Sequence, residues 1–361
     1  MKWPNHGGQP ETIKKLLQIE SEKTMLDFSA NLNPLGPPSW LKESLFEEFE
    51  TVIRYPDPTY EKSTSAIATN EEINENQVLV TNGGAEAIFL AAKNFEGGKA
   101  LVVQPTFLEY ERACSHYNIE VEDYFLDMED DFTLSGHNLI EKLPDKDVIF
   151  ICRPNNPTGT VIPEEILRDI VTAAENTGTY VVVDEAFADF LPASIPPLTN
   201  WLASFDHLIL LRSLTKMYTI PGLRFGYLMA SPTIISKLKG VQIPWSINAL
   251  ADSIVPKLLN DKAFLEKTKV WLADESEFVL RRLNEMDLEL TDTKTNFYLL
   301  RDKKAPNQTE QLFRFLLQQG IVTRHTHNFK GLNGDFLRIA IRSRAENERL
   351  IEAFQKWRQL E

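Results

Sequence analysis

Short apolar segments alternate with longer amphipathic ones through the first two thirds of the chain. Mostly apolar, β-branched runs predict buried strands at residues 78–81, 100–103, 148–152, 180–183 and 207–211. Helical patterns follow several of them, one directly after the glycine turn at 82–84. The run at 148–152 is apolar throughout, which is typical of a strand covered on both faces. The alternation predicts an α/β fold with a large, mostly parallel sheet and helices on both faces.

The pattern changes near residue 247. About thirty residues from there have a continuous helical pattern, and strands are then predicted at 295–300 and 336–341 with helices between and after them. This order predicts a smaller α+β domain. We expect three parts: residues 1–45 as an N-terminal arm and part of the small domain, 46–246 as the large domain, and 247–361 as a linking helix and the C-terminal small domain.

Polar, glycine and aromatic residues follow the predicted strand ends. They are the turn Asn82-Gly83-Gly84 and the single residues Phe107, Asn156, Asp184 and Lys216. In open α/β sheets, ligands bind outside the carboxyl ends of the strands, so we expect these residues to share one edge of the sheet. Gly83, Gly84 and Ala85 also begin a predicted helix, whose free amide groups would form a seat for an anion.

The segment SLTKMYTIPGLRFG at residues 213–226 carries the most specific chemistry. It places Lys216 just beyond a strand, between the hydroxyls of Ser213 and Thr215, with Arg224 eight residues later. One amine that can react with an aldehyde, surrounded by donors for a phosphate dianion, is what an enzyme that uses pyridoxal 5′-phosphate (PLP) needs. Asp184 adds a carboxylate that would be costly to bury without a partner.

Charge and cysteine content exclude other classes of protein. The 361 residues carry a net charge of -14 with no long run of lysine and arginine, so we expect no nucleic-acid binding and predict a small-molecule partner. Cys114 and Cys152 have no metal-ligand spacing, and we predict free thiols and no metal site. No apolar run is long enough for a membrane span or a signal peptide, so we predict a cytoplasmic protein.

Taken together, the ordered set resembles the fold-type I PLP enzymes, the aminotransferase class I and II superfamily. The resemblance covers essentially the whole chain. It implies the cofactor PLP and a homodimer with shared active sites. It also implies that Lys216 binds the cofactor covalently and then acts as acid or base at Cα, that Asp184 pairs with the pyridine nitrogen, that Asn156 bonds the 3′ oxygen, and that Phe107 stacks on the ring.

The same resemblance implies roles for the remaining residues. The cofactor phosphate would be bound by Gly83, Gly84, Ala85, Ser213, Thr215 and Arg224, with Tyr55 reaching it from the other subunit. Arg338 corresponds to the arginine that binds the α-carboxylate of the substrate, a bidentate task for which lysine is poorly suited.

Within the superfamily, the sequence is most similar to the L-threonine-O-3-phosphate decarboxylases of cobalamin synthesis. The similar features are HGG at 6–8 with DFSANLNPLG at 27–36, DEAF at 184–187 with Phe187 where aminotransferases have tyrosine, the lysine loop, and NFKGL at 328–332 leading to RIAIR at 338–342. The resemblance therefore implies decarboxylation of L-threonine O-3-phosphate to (R)-1-amino-2-propanol O-2-phosphate. His6, Gly7 and Asn31 are expected to bind the substrate, and either Arg324 or Arg342 its phosphate.

The alternative is a histidinol-phosphate aminotransferase, which would use the same lysine, aspartate and phosphate donors. In that case the substrate is another phosphorylated amine. A third possibility, the PLP-binding module of a transcription factor, is disfavoured because the chain shows no DNA-binding segment and has the wrong charge.

Overall fold

The computed structural model describes residues 3–19 and 24–360. Their strands are β1 Leu26–Asp27, β2 Val78–Thr81, β3 Lys99–Gln104, β4 Glu120–Phe125, β5 Val148–Cys152, β6 Tyr180–Asp184, β7 Leu208–Ser213, β8 Gly226–Met229, β9 Leu288–Leu290, β10 Phe297–Asp302, β11 Ile321–Val322, β12 Arg324–His325 and β13 Leu337–Ala340. Their α-helices are α1 Pro10–Leu17, α2 Leu41–Glu47, α3 Glu61–Glu71, α4 Gly83–Lys93, α5 Glu109–His116, α6 Gly136–Ile140, α7 Glu164–Thr177, α8 Pro232–Lys239, α9 Ala249–Asn260, α10 Lys262–Asn284, α11 Thr309–Gln318 and α12 Arg344–Arg358.

The large sheet has seven strands in the order β2-β8-β7-β6-β5-β3-β4. The neighbours from β7 to β4 all pair in parallel, whereas β8 runs antiparallel to both β7 and β2. Every residue of β5 and β7 is buried, as expected for strands covered on both faces. The predicted α/β fold with a mostly parallel sheet is confirmed.

Apolar side chains cover both faces of this sheet. In β3, Leu101 and Val103 belong to one apolar cluster and Ala100 and Val102 to the other, because successive side chains of a strand point to opposite faces. Among the residues that the structure describes, no helix is both long and apolar enough to cross a membrane.

Two strands of the large sheet do not follow from the sequence pattern. β4 has the sequence EVEDYF and lies at the sheet edge, half exposed, so it lacks the apolar run of a central strand. β8 is four buried residues directly after the lysine loop. Its first residue, Gly226, lies so close to Gly83 that an added Cβ would stand 2.8 Å from the Gly83 carbonyl carbon.

The C-terminal part contains a four-stranded antiparallel sheet in the order β12-β13-β10-β9, and a separate parallel pair of β1 with β11. The prediction of one continuous helix from residue 247 is wrong, because the helix is interrupted at Asp261, between α9 and α10. The Asp261 carboxylate accepts a hydrogen bond from the Phe264 amide at 3.0 Å and another from Trp40 Nε1 at 2.6 Å, so it caps the second helix. The division into domains at residues 45 and 246 stays a prediction.

Candidate active site

A cavity of about 250 Å³ lies at the carboxyl edge of the parallel strands. Predicted cofactor residues that line it are Gly84, Ala85, Phe107, Asn156, Asp184, Ser213, Thr215, Lys216 and Arg224. Predicted substrate residues that line it are His6, Gly7, Asn31, Arg324 and Arg338. Residues from strand ends, the N-terminal arm and the C-terminal sheet therefore meet in one place.

Lys216 stands in the turn after β7 and has no hydrogen-bond or ion-pair partner among the described residues for its amine. Loss of surrounding water, with the nearby positive charges of Arg338 and Arg224, lowers the pKa of this amine to about 8. Its Nζ lies 5.9 Å from the ring centre of Phe187. The amine therefore becomes neutral, and able to act as a nucleophile, as pH rises through about 8 rather than through the usual lysine range.

Asp184 ends β6 as a buried carboxylate. Its Oδ2 accepts a hydrogen bond from the Tyr110 hydroxyl at 2.7 Å and its Oδ1 one from the Ala186 amide at 3.0 Å. Burial raises the pKa of Asp184, and these two hydrogen bonds oppose that rise. No lysine, arginine or histidine of the described residues pairs with it, so a cationic partner would have to come from a ligand.

The first turn of α4 and the lysine loop form one end of the cavity, where the sequence predicts the cofactor phosphate. Gly83 has a φ of +75°, and a Cβ at that position would lie 2.7 Å from Nη2 of Arg224. Only glycine therefore lets the backbone approach the guanidinium so closely. The buried hydroxyl of Thr215 has no hydrogen-bond partner among the described residues.

Arg338 is buried on β13. It donates to Asn156 Oδ1 at 2.5 Å and to the Ser29 carbonyl at 2.7 Å, and these bonds fix the direction of its guanidinium. Burial and the charge of Arg324 lower its pKa to about 9. Both polar atoms of the Asn31 side chain are buried without a partner among the described residues. Arg338 Nε also has no partner among the described residues, and both side chains line the cavity.

The N-terminal arm lies across the cavity. Arg324 donates to the backbone carbonyls of Pro4 at 3.2 Å and Asn5 at 2.7 Å, and to Asn328 Oδ1 at 2.6 Å. His6 Nε2 lies 3.2 Å from Glu109 Oε1, which connects the arm to the start of α5. Burial lowers the pKa of Arg324 to about 10.

The chain is similar in sequence to known enzymes over nearly its whole length. A sequence model described as aminotransferase class I and II matches residues 23–354. The threonine-phosphate decarboxylase of Salmonella typhimurium is 36% identical over 355 residues, covering 97% of this chain and 95% of that protein. The chain belongs to the aminotransferase class I and II family.

Two solved structures of the family resemble the whole chain. The histidinol-phosphate aminotransferase from Clostridium acetobutylicum has a TM-score of 0.88 at 28% identity and covers 93% of this chain and 100% of its own. The L-threonine-O-3-phosphate decarboxylase from Porphyromonas gingivalis has a TM-score of 0.80 at 26% identity and covers 92% of this chain and 99% of its own. Both activities considered from the sequence thus occur among similar structures.

The cofactor of the family is PLP, as the sequence predicted, and the cavity of this family member fits it. The unpartnered Thr215 hydroxyl, the close backbone approach at Gly83 and the first-turn amides of α4 suit a phosphate. The Lys216 amine suits an aldehyde, and Asp184 suits a protonated ring nitrogen.

Some predicted residues of this family member lie elsewhere. The structure does not bring Arg342 to the cavity; its Nη2 instead donates to Glu346 Oε1 at 2.8 Å, at the start of α12. Tyr55, which was predicted to reach the cofactor of a second subunit, is 82% exposed, with its ring 5.0 Å from that of Trp245, and its role stays a prediction. Gly83 does not line the cavity itself, but its backbone lies close to the Arg224 guanidinium, which does.

The sequence did not single out several residues that line the cavity. Asn328 and Phe329 belong to a motif used for the resemblance, but no role was predicted for them. Ser29 and Tyr110 also line it, each next to a predicted residue. Nothing in the sequence indicates that a tyrosine inside a helix contacts Asp184, 74 positions further along the chain.

Proposed function

We propose that this protein is a PLP-dependent lyase that decarboxylates L-threonine O-3-phosphate to (R)-1-amino-2-propanol O-2-phosphate. One observation carries the proposal. The cavity contains two buried arginines, Arg324 and Arg338, and neither has a carboxylate of the described residues within ion-pair distance. Threonine phosphate carries two anionic groups, a carboxylate and a phosphate, and each arginine can bind one of them. We infer from the resemblance that the product serves cobalamin synthesis.

Arg338 is our proposed ligand of the substrate carboxylate. Its hydrogen bonds to Asn156 and Ser29 fix the guanidinium, and the unpartnered Asn31 amide, which lines the same cavity, is proposed to bond the same group. When bound, PLP serves as the electron acceptor for the Cα bond that stands perpendicular to its ring. By fixing the carboxylate, Arg338 selects that bond, so its position decides between loss of CO2 and loss of a proton.

Arg324, rather than Arg342, is our proposed ligand of the substrate phosphate, because Arg342 lies outside the cavity. The Asn5 carbonyl accepts a hydrogen bond from Arg324, and His6 follows it in the arm, so the arm would cover the bound substrate phosphate. Lys216 is the proposed proton donor. After the carboxylate leaves as CO2, one proton must be added to Cα, and the Lys216 ammonium is placed to supply it.

A histidinol-phosphate aminotransferase is the second candidate, favoured by the TM-score of 0.88 to a structure with that activity. Histidinol phosphate has a phosphate but no carboxylate. While the amino group of histidinol phosphate is being transferred, Arg338 would therefore have no carboxylate to bind. Phe187 lies where aminotransferases have a tyrosine, and its ring packs against Phe297 at 4.9 Å.

Two assays test the function. PLP-loaded protein with L-threonine O-3-phosphate and no keto acid should release CO2 and form aminopropanol phosphate in equal amounts over many turnovers. The comparison is histidinol phosphate with 2-oxoglutarate, which should form no glutamate. Glutamate formation with threonine phosphate inert would replace the decarboxylase with the aminotransferase and leave the cofactor assignment intact.

We further propose a homodimer. A surface formed by Phe46, Ile53, Tyr55, Ile243 and Trp245 is apolar, and these side chains are 83%, 75%, 82%, 74% and 49% exposed. The rings of Tyr55 and Trp245 lie 5.0 Å apart, and large apolar side chains exposed together are typical of a protein–protein interface. Ser246, next to Trp245 in the chain, accepts a hydrogen bond from Asn82 Nδ2 at 2.6 Å, so this part of the surface lies next to the turn that precedes α4.

A second copy of the chain is the proposed occupant of this surface, and its Tyr55 would reach the cofactor phosphate. Sedimentation velocity should show a dimer that Ile53→Asp converts to a monomer; a monomeric unsubstituted protein would overturn the proposal.

We also propose a cytoplasmic location. Cys114 and Cys152 are free and buried, which supports it.

A further inference from the structure

Tyr110 lies directly behind Asp184. It is fully buried in α5, and its hydroxyl donates to Asp184 Oδ2 at 2.7 Å. The other oxygen, Oδ1, is occupied by the Ala186 amide. Each carboxylate oxygen thus has one protein donor, and Asp184 also lines the cavity.

Those two donors strongly affect the charge state of Asp184, because no cation of the described residues pairs with it. A buried carboxylate in that situation tends to take up a proton and become neutral. A hydroxyl that donates to the charged oxygen at short distance favours the anion. The Ala186 amide does the same, but it belongs to the backbone and no side-chain substitution removes it.

The tyrosine ring is locked in place. It stacks on Phe150 with ring centres 5.6 Å apart and planes at 14°, and it meets Phe107 edge to face at 6.0 Å and 82°. Phe107 is the proposed stacking partner of the cofactor ring. One buried side chain therefore supports both the residue proposed to bind the ring nitrogen and the residue proposed to cover the ring face.

We propose that Tyr110 is a positioning residue that keeps Asp184 an oriented anion at the ring nitrogen of the cofactor. This rests on the proposed role of Asp184. If the hydroxyl is lost, the carboxylate has one donor fewer, and the proton shared between ring nitrogen and carboxylate should leave the ring more readily. The electron-accepting power of the ring and the affinity for the cofactor should both decrease.

A purely structural hydrogen bond is the competing explanation, and the chain offers a matched control. The hydroxyl of Tyr227 is also buried and donates to a buried carboxylate, Glu71 Oε1, at 2.5 Å. Tyr227 does not line the cavity. Tyr110→Phe and Tyr227→Phe therefore remove the same group from the same kind of contact, once at the site and once outside it.

The test uses protein loaded with PLP labelled with ¹⁵N in the ring, and follows the ¹⁵N chemical shift against pH. Because loss of this donor makes the carboxylate more basic, Tyr110→Phe should move the shared proton toward Asp184 and shift the ring ¹⁵N signal at neutral pH toward that of an unprotonated nitrogen. It should also raise the cofactor Kd about tenfold, the effect of one hydrogen bond to a charged group. Tyr227→Phe should change neither. Thermal unfolding of both cofactor-free variants checks that each is folded.

Asp184→Asn distinguishes the proposed role of Asp184 from that of Tyr110. If Asp184→Asn shifts the ¹⁵N signal and Tyr110→Phe behaves like Tyr227→Phe, the role of Tyr110 is wrong and that of Asp184 stands. If Asp184→Asn also leaves the signal unchanged, the proposed role of Asp184 is wrong, and the inference about Tyr110 is overturned with it.

Discussion

Two groups of charged side chains, most of them buried, lie next to each other in this protein, and they differ in how they are neutralised. The first, the buried ion network, consists of Arg153, Arg212, Glu71, Glu185 and Asp189. Arg153 lies 2.7 Å from Glu185, and Arg212 lies 3.0 Å from Asp189, 3.5 Å from Glu71 and 3.6 Å from Glu185. Each cation of this network has an anion beside it.

The cavity shows the opposite arrangement. Lys216, Arg224, Arg324 and Arg338 line it, and Asp184 is the one carboxylate that lines it within the described part of the chain. The pKa values follow this difference: the carboxylates around Arg212 hold its pKa well above the usual value despite burial, whereas burial and a second arginine lower that of Arg338 to about 9. The paired charges satisfy one another, whereas we propose that the unpaired cations bind the anionic groups of substrate and cofactor.

Lys216→Ala should have the largest effect. Without the amine, neither covalent binding of the cofactor nor proton transfer at Cα is available, and turnover of threonine phosphate should fall by about 10³-fold or more. CO2 release measured at saturating cofactor tests this. Activity within tenfold of the unsubstituted protein would mean that another group performs the chemistry.

Arg153→Ala tests the other side of the comparison. Breaking this buried ion pair leaves Glu185 with Arg212, at 3.6 Å, as its remaining cation, and this should cost about 3 to 5 kcal/mol of unfolding free energy. Urea unfolding of cofactor-free protein measures it. The control is Arg314→Ala, which removes an exposed pair with Glu310 and should cost less than about 1 kcal/mol. Equal losses would remove the distinction between paired burial and surface pairing.

Arg338→Lys keeps the charge and removes the fork of donors. We expect kcat/KM for threonine phosphate to fall about 10- to 100-fold, because lysine cannot bond the carboxylate and Asn156 together. Unfolding free energy should change little, since no anion of the described residues is lost. A loss of stability as large as that of Arg153→Ala would show that Arg338 is a structural residue.

The smallest predicted effect is on pH dependence. The reactive form of Lys216 is the neutral amine, and its lowered pKa means that this form is gained as pH rises through about 8. The rate at which cofactor-free protein captures PLP should therefore rise with pH and level off above that value. Arg338→Met removes one of the positive charges, so it should shift the midpoint upward. A midpoint near 10.5, the usual value for lysine, would contradict the account.

The sequence predicted the parts of this site that depend on local order. Lys216, Asp184 and the glycine turn follow predicted strand ends, and parallel strands bring such ends together. It could not predict contacts between distant segments, such as the bonds from Arg324 to the arm carbonyls or from Tyr110 to Asp184. The strand β4 and the break at Asp261 were missed for similar reasons: an edge strand needs no apolar run, and the cap at Asp261 is completed by Trp40 from far away.

The most direct test of the central claim is whether Arg324 binds a phosphate. The Kd of PLP-loaded protein for L-threonine O-3-phosphate and for L-threonine can be measured from the change in cofactor absorbance, with and without Arg324→Gln. We predict that Arg324→Gln weakens threonine phosphate about 100-fold and threonine less than about threefold, because a charged hydrogen-bonded pair contributes about 1.5 to 3 kcal/mol. Equal weakening of the two ligands would contradict the claim, since Arg324 would then support the arm and not the substrate phosphate.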